Sequence, residues 1–527
     1  MSDPKKEQWT SRLGVILAVA GSAVGLGNFL RFPGQAVQNG GGAFMIPYFC
    51  ALLFLGIPIG WAEWTMARYG GRKGFHSCPA IMGVIGRGAW ARYAGVLGLL
   101  IPLVIYMYYI LIESWCLRYC LGYLTGWVDL GNDPTQYVAE SARVFTAVTG
   151  ADRDGALFDG LHPTLVVWLL TFAANVWLIY RGLSKGIETF CTWAMPVMLL
   201  CGLVVLARVL TLGTPHPDLP ERNVLNGLGF MWNPDFSKLG DFKAWLAAAG
   251  QIFFSLSVGF GVIVNYASYL RKQDDIVLSG LTASATNELF EVGFGGLITI
   301  PAAFVFLGAS GAVGSTFGLG FNTLPVVFEY MGPFGRVIGA IWFFMLFLAA
   351  ITSSLSMLQP VTAFFWEAFG MPRSRAVVLL AVVSLLGSLW VVYFSKDLVA
   401  LDTMDFWVGT TFIFVLATVQ IICFGWIFGV YRGLAEAHQG AAIRIPRIFR
   451  FIIKYVAPAY LLIVFAGFCT QNLPGYLAGL EGNPVARWTM GLVAVVLVML
   501  VAITRVGERR WRELGLDIDG RHPPEDA

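Results

Sequence analysis

The sequence predicts an all-α polytopic membrane protein of twelve transmembrane helices, the first ten arranged as two inverted repeats of five. Three observations carry this reading. Of the 527 residues, 57% are hydrophobic and only 13% charged, about half the charged share of a soluble domain. The mean hydropathy is +0.69, and the apolar residues come in blocks near the roughly 20 residues that a bilayer core demands of a spanning helix. Two of those blocks, five positions apart in the order, are broken in the middle by glycine and polar residues. Lipid offers no partner for a bare backbone group, so such blocks are helical.

The twelve blocks run near 12–37, 42–70, 89–124, 165–182, 190–212, 242–268, 276–306, 335–369, 375–394, 399–428, 446–471 and 485–505. An even number places both termini on one side, and basic residues say which. Lys5, Lys6 and Arg12 precede span 1, and Arg68, Arg72, Lys73, Arg87 and Arg92 surround the connection after span 2. Arg271 and Lys272, then Arg373 and Arg375, then Arg444, Arg447 and Arg450 follow spans 6, 8 and 10. The 125–164 loop instead carries Asp129, Asp133, Glu140, Asp152, Asp154 and Asp159 against Arg143 and Arg153. Both termini are therefore expected in the cytoplasm, and the first hydrophobic stretch, preceded by MSDPKKEQWT, lacks the marks of a cleaved signal.

The chain divides accordingly. A cytoplasmic N-terminal segment (1–11) leads to a first repeat of spans 1–5 (12–212), an extracellular connection (213–241) and a second repeat of spans 6–10 (242–428). Accessory spans 11 and 12 (429–505) and a cytoplasmic tail (506–527) complete it. A net charge of +3, dispersed along the chain, excludes a nucleic-acid partner. The eight cysteines are scattered and the five histidines do not cluster, so the cysteines read as small buried hydrophobes.

Span 1 contains GSAVGLGN (Gly21 to Asn28) and span 6 contains FSLSVGFG (Phe254 to Gly261). Each glycine lowers helix stability by about 1 kcal/mol against alanine, so several together invite unwinding. Corresponding interruptions in two repeats point to a transporter's central site. Close packing, as at Gly56 and Gly60, explains glycine but not the adjacent Ser22, Asn28, Ser255 and Ser257. Unwinding frees N–H groups at a half-helix start, which suit a carboxylate, and carbonyls, which suit an alkali cation or an ammonium group. A ligand carrying carboxylate and amine on one carbon matches both, and that is the backbone of an amino acid.

Other polar residues in apolar spans are Asn287 in span 7 and the AAITSS run (Ala349 to Ser354) in span 8. Hydroxyls in membrane helices usually bond their own backbone, so Thr352 and Ser353 say little alone. Of the ionisable residues, Glu291 follows Asn287 by one turn, Glu63 and Glu113 read as structural carboxylates, and Arg31 and Asp405 lie toward the outer ends of spans 1 and 10. The last two read equally as an outer closure or a structural ion pair.

The run RLGVILAVAGSAVGLGNFLRFPGQAVQNGGGAFMIPY closely resembles the neurotransmitter:sodium symporter family, among it the bacterial amino-acid transporters. So do GQIFFSLSVGFGVIVNYASYLRK in span 6, SGLTASATNELFEVGFGG in span 7, TSSLSMLQP in span 8 and MDFWVGT in span 10. The resemblance implies a LeuT-type fold, with spans 1 and 6 unwound at mid-membrane. It implies a sodium-coupled symporter importing a neutral, hydrophobic L-amino acid by alternating access. Its partners would be a small neutral amino acid, two sodium ions and the lipid bilayer, and its place a bacterial-type inner (plasma) membrane. GxxxG-like spacings admit a homodimer.

By the resemblance, sodium site one would use Ala23, Asn28, Ser255 (a threonine in LeuT) and Asn287, with the substrate carboxylate as a further ligand. Site two would use the carbonyls of Gly21, Val24 and Ala349 and the hydroxyls of Thr352 and Ser353. The amino-acid pocket would comprise Ser22, Ala23, Leu26, Gly27, Ile105, Tyr109, Phe254, Ser255, Ser257, Phe260, Ser353 and Met357. Tyr109 would donate to the carboxylate and Phe260 would cover the ligand from outside. Ser22, Ile105 and Met357 depart from LeuT's asparagine, valine and isoleucine and leave the pocket's size open. Monoamine-carrying relatives have an aspartate where this chain has Gly25, so the substrate here should bring its own carboxylate. Glu291 would substitute for chloride, making transport chloride-independent and giving a site for proton release and uptake.

The outer gate would be Arg31 and Asp405 with Gln251 nearby. The inner gate would be Lys6 and Glu367, helped by Trp9, Ser268, Tyr269 and Gln359. Gly186 and Pro196 resemble the element of span 5 that unwinds toward the second sodium. Competing readings are a proton-coupled amino-acid carrier of the same fold and a non-transporting amino-acid sensor. The GLSKG of Gly182 to Gly186 fits a hydrolase pattern but follows a membrane helix, so no enzyme is expected.

Overall fold

Span 1 is the element on which the rest is arranged. In the computed structural model, which describes residues 9–214, 218–240, 242–311 and 318–522, it is a bent pair. Helix Arg12–Ala23 and the helical stretch Gly27–Gln38 meet at 46° across a short break. Ser11 caps the first half, its Oγ accepting from Gly14 N at 2.9 Å. Val24 leaves helical geometry at φ −75° and ψ 95°.

Ten further helices among the described residues are long and apolar enough to cross a membrane. They are Gly42–Gly71, Ala89–Thr125, Pro163–Tyr180, Leu183–Leu210, Ile276–Gly308, Gly332–Phe369, Arg373–Tyr393, Lys396–Ala437, Ile448–Gln471 and Pro484–Glu513, numbered here as spans 2–5 and 7–12. The sixth stretch is split into Phe242–Ser255 and Val262–Tyr266, each too short to cross alone. The structure carries no strand among the described residues, only one isolated bridge between Gly41 and Pro234.

Most predicted edges fall within a few residues of the observed ones, and the exceptions share one cause. Hydropathy marks where lipid begins, whereas a helix stops where its hydrogen bonds run out. Span 12 thus continues through Glu508, Arg509 and Arg510 to Glu513, and span 10 to Ala437. Span 5 opens at Leu183 rather than near 190, because GLSKG folds as a wide helical turn, not the strand-to-helix elbow of a hydrolase. The acidic 125–164 loop also holds a helix that the blocks did not announce, Tyr137–Thr149.

Span 3 is the central column: 94% of its most apolar stretch is buried within the protein, against 28% for span 12. Span 8 packs along span 3, and spans 1, 5 and 9 pack against this pair. Both broken spans therefore sit against a rigid wall. At the span 6 break Gly261 adopts φ 81°, and a Cβ there would lie 2.1 Å from the Gly98 carbonyl oxygen at the base of span 3. Only glycine permits that backbone approach.

Candidate functional site

The break in span 1 leaves backbone groups that the neighbouring spans satisfy. Gly25 N donates to Asn28 Oδ1 at 2.8 Å and Leu26 N donates to Tyr109 Oη at 3.0 Å. Tyr109 is thus an acceptor on its oxygen, and its own O–H remains a donor. In span 6, Ser257 takes φ 53°, unusual for a residue other than glycine. It donates to the Ser22 carbonyl at 3.2 Å, tying the two breaks together. Gly259 N, freed by the same break, donates to Glu63 Oε1 at 3.2 Å. Glu63 thus has the structural role expected of it, and Glu113 likewise accepts from Asn175 at 2.8 Å and from Ser354 at 2.5 Å.

The two breaks line one cavity, with walls from Ser22, Ala23, Gly25, Gly27, Asn28, Tyr109, Phe254, Ser255, Ser257, Phe260, Ser353 and Met357. Ten of these come from the predicted pocket, while Leu26 and Ile105 do not line it. Leu26 instead faces a second cavity, of about 350 Å³, shared with Arg31, Tyr108, Phe254 and Asp405. Ile105 is buried in span 3, one turn before Tyr109. Phe254 lines both cavities, as Tyr109 and Gly27 do, whereas Phe260 lines only the inner one. The Arg31 guanidinium lies over Phe254, 4.5 Å from its centroid.

Beside the cavity, side chains from spans 1, 6 and 7 converge on one buried carboxylate. Asn28 Nδ2 donates to Asn287 Oδ1 at 2.8 Å and to Glu291 Oε2 at 3.2 Å. Asn287 Nδ2 donates to Ser255 Oγ at 2.6 Å, and Ser255 Oγ donates to Glu291. Gln251 Nε2 donates to Glu291 Oε1 at 2.8 Å, so Gln251, expected beside the outer gate, belongs to this network. Every side chain expected at the first sodium site is in this network. The residue after Asn287 is a second carboxylate, Glu288, which accepts from Tyr48 Oη at 2.8 Å. The sequence reading passed over both Glu288 and Tyr48, although a second carboxylate beside Asn287 was a signal in itself.

At the other side of the break, Ser353 Oγ lies 3.2 Å from the Ser22 carbonyl and 3.5 Å from those of Gly21 and Val24. Thr352 Oγ1 bonds back to Leu348 O at 3.1 Å and Ala349 O at 3.0 Å. Gly21, Val24, Ala349, Thr352 and Ser353 are thereby brought to one place. Their oxygens are neutral, as suits a hard monovalent cation, and no group of three or more His, Cys, Asp or Glu that could hold a metal occurs among the described residues.

The residues expected at the two gates meet separate partners. Arg31 Nη2 donates to Thr410 Oγ1 at 3.2 Å, and Asp405 accepts from Tyr108 Oη at 2.7 Å. The two charges share the outer cavity, each with its own partner. On the opposite side, Lys6 lies outside the described residues. Glu367 accepts from His76 N at 3.1 Å, Trp9 Nε1 donates to Tyr266 O at 3.0 Å, and Gln359 accepts from Arg373 at 2.8 Å. Tyr269 stacks on the His76 ring at 4.4 Å, and Ser268 Oγ lies 2.9 Å from His76 Nδ1. Glu188, at the start of span 5, accepts from Thr10 N at 3.0 Å and Ser11 N at 3.2 Å and so holds the foot of span 1. Sequence reasoning missed it because it fell outside the predicted edge of span 5.

The chain's likenesses agree with this geometry. The description "Sodium:neurotransmitter symporter family" attaches to a profile that matches residues 6–154 and 159–509. An uncharacterized sodium-dependent transporter of Methanocaldococcus jannaschii is 30% identical over 518 residues, covering 95% of this chain and 98% of that protein. The sodium-dependent dopamine transporter of Bos taurus is 26% identical, over 94% of this chain and 74% of that one. Among solved structures, MhsT in complex with L-phenylalanine superposes with a TM-score of 0.75 at 28% identity, over 88% of this chain and 99% of MhsT. Two broken spans around a mid-membrane cavity, in a LeuT-type fold, define a sodium-dependent membrane transporter rather than an enzyme. The chain belongs to the sodium:neurotransmitter symporter family.

Proposed function

We propose that the protein imports a neutral, hydrophobic L-amino acid together with two sodium ions, by alternating access and without chloride. The observation that carries this reading is the cavity between the broken spans, where carboxylate donors and cation acceptors lie side by side. The Tyr109 hydroxyl and the amides of the span 1 break face the position of a substrate carboxylate, and Ala23, Asn28, Ser255 and Asn287 surround a first sodium beside it. A carboxylate that touches this ion makes each ligand raise the other's affinity. Gly21, Val24, Ala349, Thr352 and Ser353 take the second sodium.

Gly25 supports a substrate that brings its own carboxylate, because the chain supplies none at that position: even a Cβ there would lie 2.6 Å from Ser353 Oγ and 2.9 Å from Tyr109 Oη. Phe254, Phe260 and Met357 make the rest of the wall apolar, and MhsT, of the same fold, was crystallised with L-phenylalanine. Glu291 supplies the negative charge that chloride would otherwise bring. Counting the split sixth stretch gives twelve spans with both termini cytoplasmic in a bacterial-type inner membrane. Spans 1–5 (12–212) and 6–10 (242–428) form the inverted repeat, joined through 213–241 and followed by spans 11–12 (429–505). Arg31 and Asp405 close the outside; Trp9, Glu367 and Tyr269, with Lys6, close the inside.

Equilibrium binding of radiolabelled amino acids to the purified protein, in sodium and in potassium, tests this. Saturable binding of neutral hydrophobic amino acids in sodium alone is expected. Equal binding in both salts would overturn the sodium assignment in favour of a proton-coupled carrier. Sodium-dependent binding without uptake into proteoliposomes would make the protein a sensor.

A further inference from the structure

On the face that carries the C-terminal tail, a cavity lies between the turn just before span 3 and the end of the described chain. Arg87, Arg432, Arg521 and His522 line it, with Asp519 as its one carboxylate. Asp519 is already engaged by Arg92 at 2.7 Å and Arg521 at 3.5 Å. Arg432 is held by its Tyr69 hydroxyl bond and by the rings of Tyr69 and Phe428, at 5.1 and 4.7 Å, and not by a carboxylate. Among the described residues, positive charge is therefore in excess at this cavity.

Arg87 adds a second observation. It sits at φ 53°, a left-handed conformation that costs a residue with a side chain about 1 kcal/mol or more. Glycine would avoid that strain, and Gly86 and Gly88 flank it. Among the described residues no carboxylate pairs with the Arg87 guanidinium, so a cation on a strained backbone is left facing the cavity.

The surroundings identify the kind of ligand. Trp90 is 53% exposed and Tyr431, beside Arg432, is 68% exposed. Arg450 lies over the Tyr431 ring at 5.3 Å, and Lys454 over Trp426 at the same distance. Exposed aromatics interleaved with basic residues at helix ends mark the headgroup layer of a bilayer. We propose that this cavity seats the phosphate of an anionic phospholipid of the inner leaflet, held by Arg87, Arg432 and Arg521. The leaflet follows from the orientation proposed above, whereas the binding itself does not depend on it.

The test uses the full-length protein in neutral detergent, with native mass spectrometry counting bound dihexanoyl-phosphatidylglycerol against dihexanoyl-phosphatidylcholine. Phosphatidylglycerol should bind more tightly, and Arg87→Gly and Arg521→Gln should each weaken it by roughly fivefold, the worth of one basic residue at an anionic surface. Arg375→Gln, on the same face but away from the cavity, should leave it unchanged. Because Arg87→Gly relieves backbone strain, its thermal midpoint should not fall, which separates lost binding from lost folding. Equal binding of the two lipids, or wild-type affinity in both cavity variants, would overturn the proposal. Displacement of the lipid by an equal concentration of glycerol 1-phosphate would overturn its assignment to the membrane and leave a soluble phosphate compound as the ligand. Sodium-dependent amino-acid binding, measured in parallel, reports on the central site independently.

Discussion

The two proposed sodium sites lie on either side of one break in span 1, yet they are built differently. At the first, side chains of three spans are bonded to one another around the Glu291 carboxylate. At the second, the contacts run from hydroxyls to backbone carbonyls, with no charged side chain among them. The first is a network whose members fail together, because removing one leaves several buried donors unpaired. The second is a set of separate oxygen atoms, each replaceable at the cost of a single contact. On the proposed function, the first site would hold the ion that meets the substrate, and the second would hold the broken span against span 8.

The largest expected effect tests the network. Glu291→Ala strands the donors of Asn28, Gln251, Ser255 and Asn287; removing one partner of such a buried charged set costs about 3–5 kcal/mol. The sodium concentration for half-maximal substrate binding should rise by roughly a hundredfold or more. Glu291→Ser should recover activity in chloride but not in gluconate, measured as uptake into proteoliposomes. Recovery in both anions would show that the carboxylate does not stand in for chloride, and loss of wild-type uptake in gluconate would refute chloride independence outright.

A middle effect is expected where the two sites meet. Gly25→Ala presses a methyl group on Ser353 and Tyr109 at once, an overpacking of about 1–3 kcal/mol. Substrate affinity in saturating sodium should fall between roughly fivefold and a hundredfold. An unchanged affinity would mean that the ligand leaves Gly25 clear.

The smallest effect belongs to the second site. Ser353→Ala removes one hydroxyl from several oxygens, worth about 0.5–1.5 kcal/mol, so the sodium requirement should rise only severalfold. Thr352→Ser, which keeps the hydroxyl, should change it less. A loss as large as that of Glu291→Ala would erase the contrast between the two sites.

Much of this site was legible because polar residues in a long apolar run have few reasons to be there. Asn28, Ser255, Asn287 and Glu291 stand out on that ground alone, and the structure joins them by hydrogen bonds. Tyr109 does not stand out in YMYYI, where neighbouring tyrosines look alike. Resemblance to the family selected it, and its bond to Leu26 N gives the reason. Thr352 and Ser353 were equally silent until the carbonyls of the broken span were placed beside Ser353. That Phe254 and not Phe260 also reaches the outer cavity could not be foreseen, since both positions follow from where a backbone with Ser257 and Gly259 at positive φ turns.

The sequence by itself determined the membrane class, the approximate edges of the helices, the pair of broken spans and the polar residues that face the cavity. These follow from local rules: hydropathy over a bilayer's thickness, glycine's cost in a helix and the expense of a polar group in lipid. Tertiary structure alone decided that Gln251 bonds to Glu291, that Glu188 grips the foot of span 1 and that His76 meets Glu367 and Tyr269. Each of these joins residues far apart in the chain. Such contacts are set by how helices pack against the column of spans 3 and 8, which no spacing within one helix encodes.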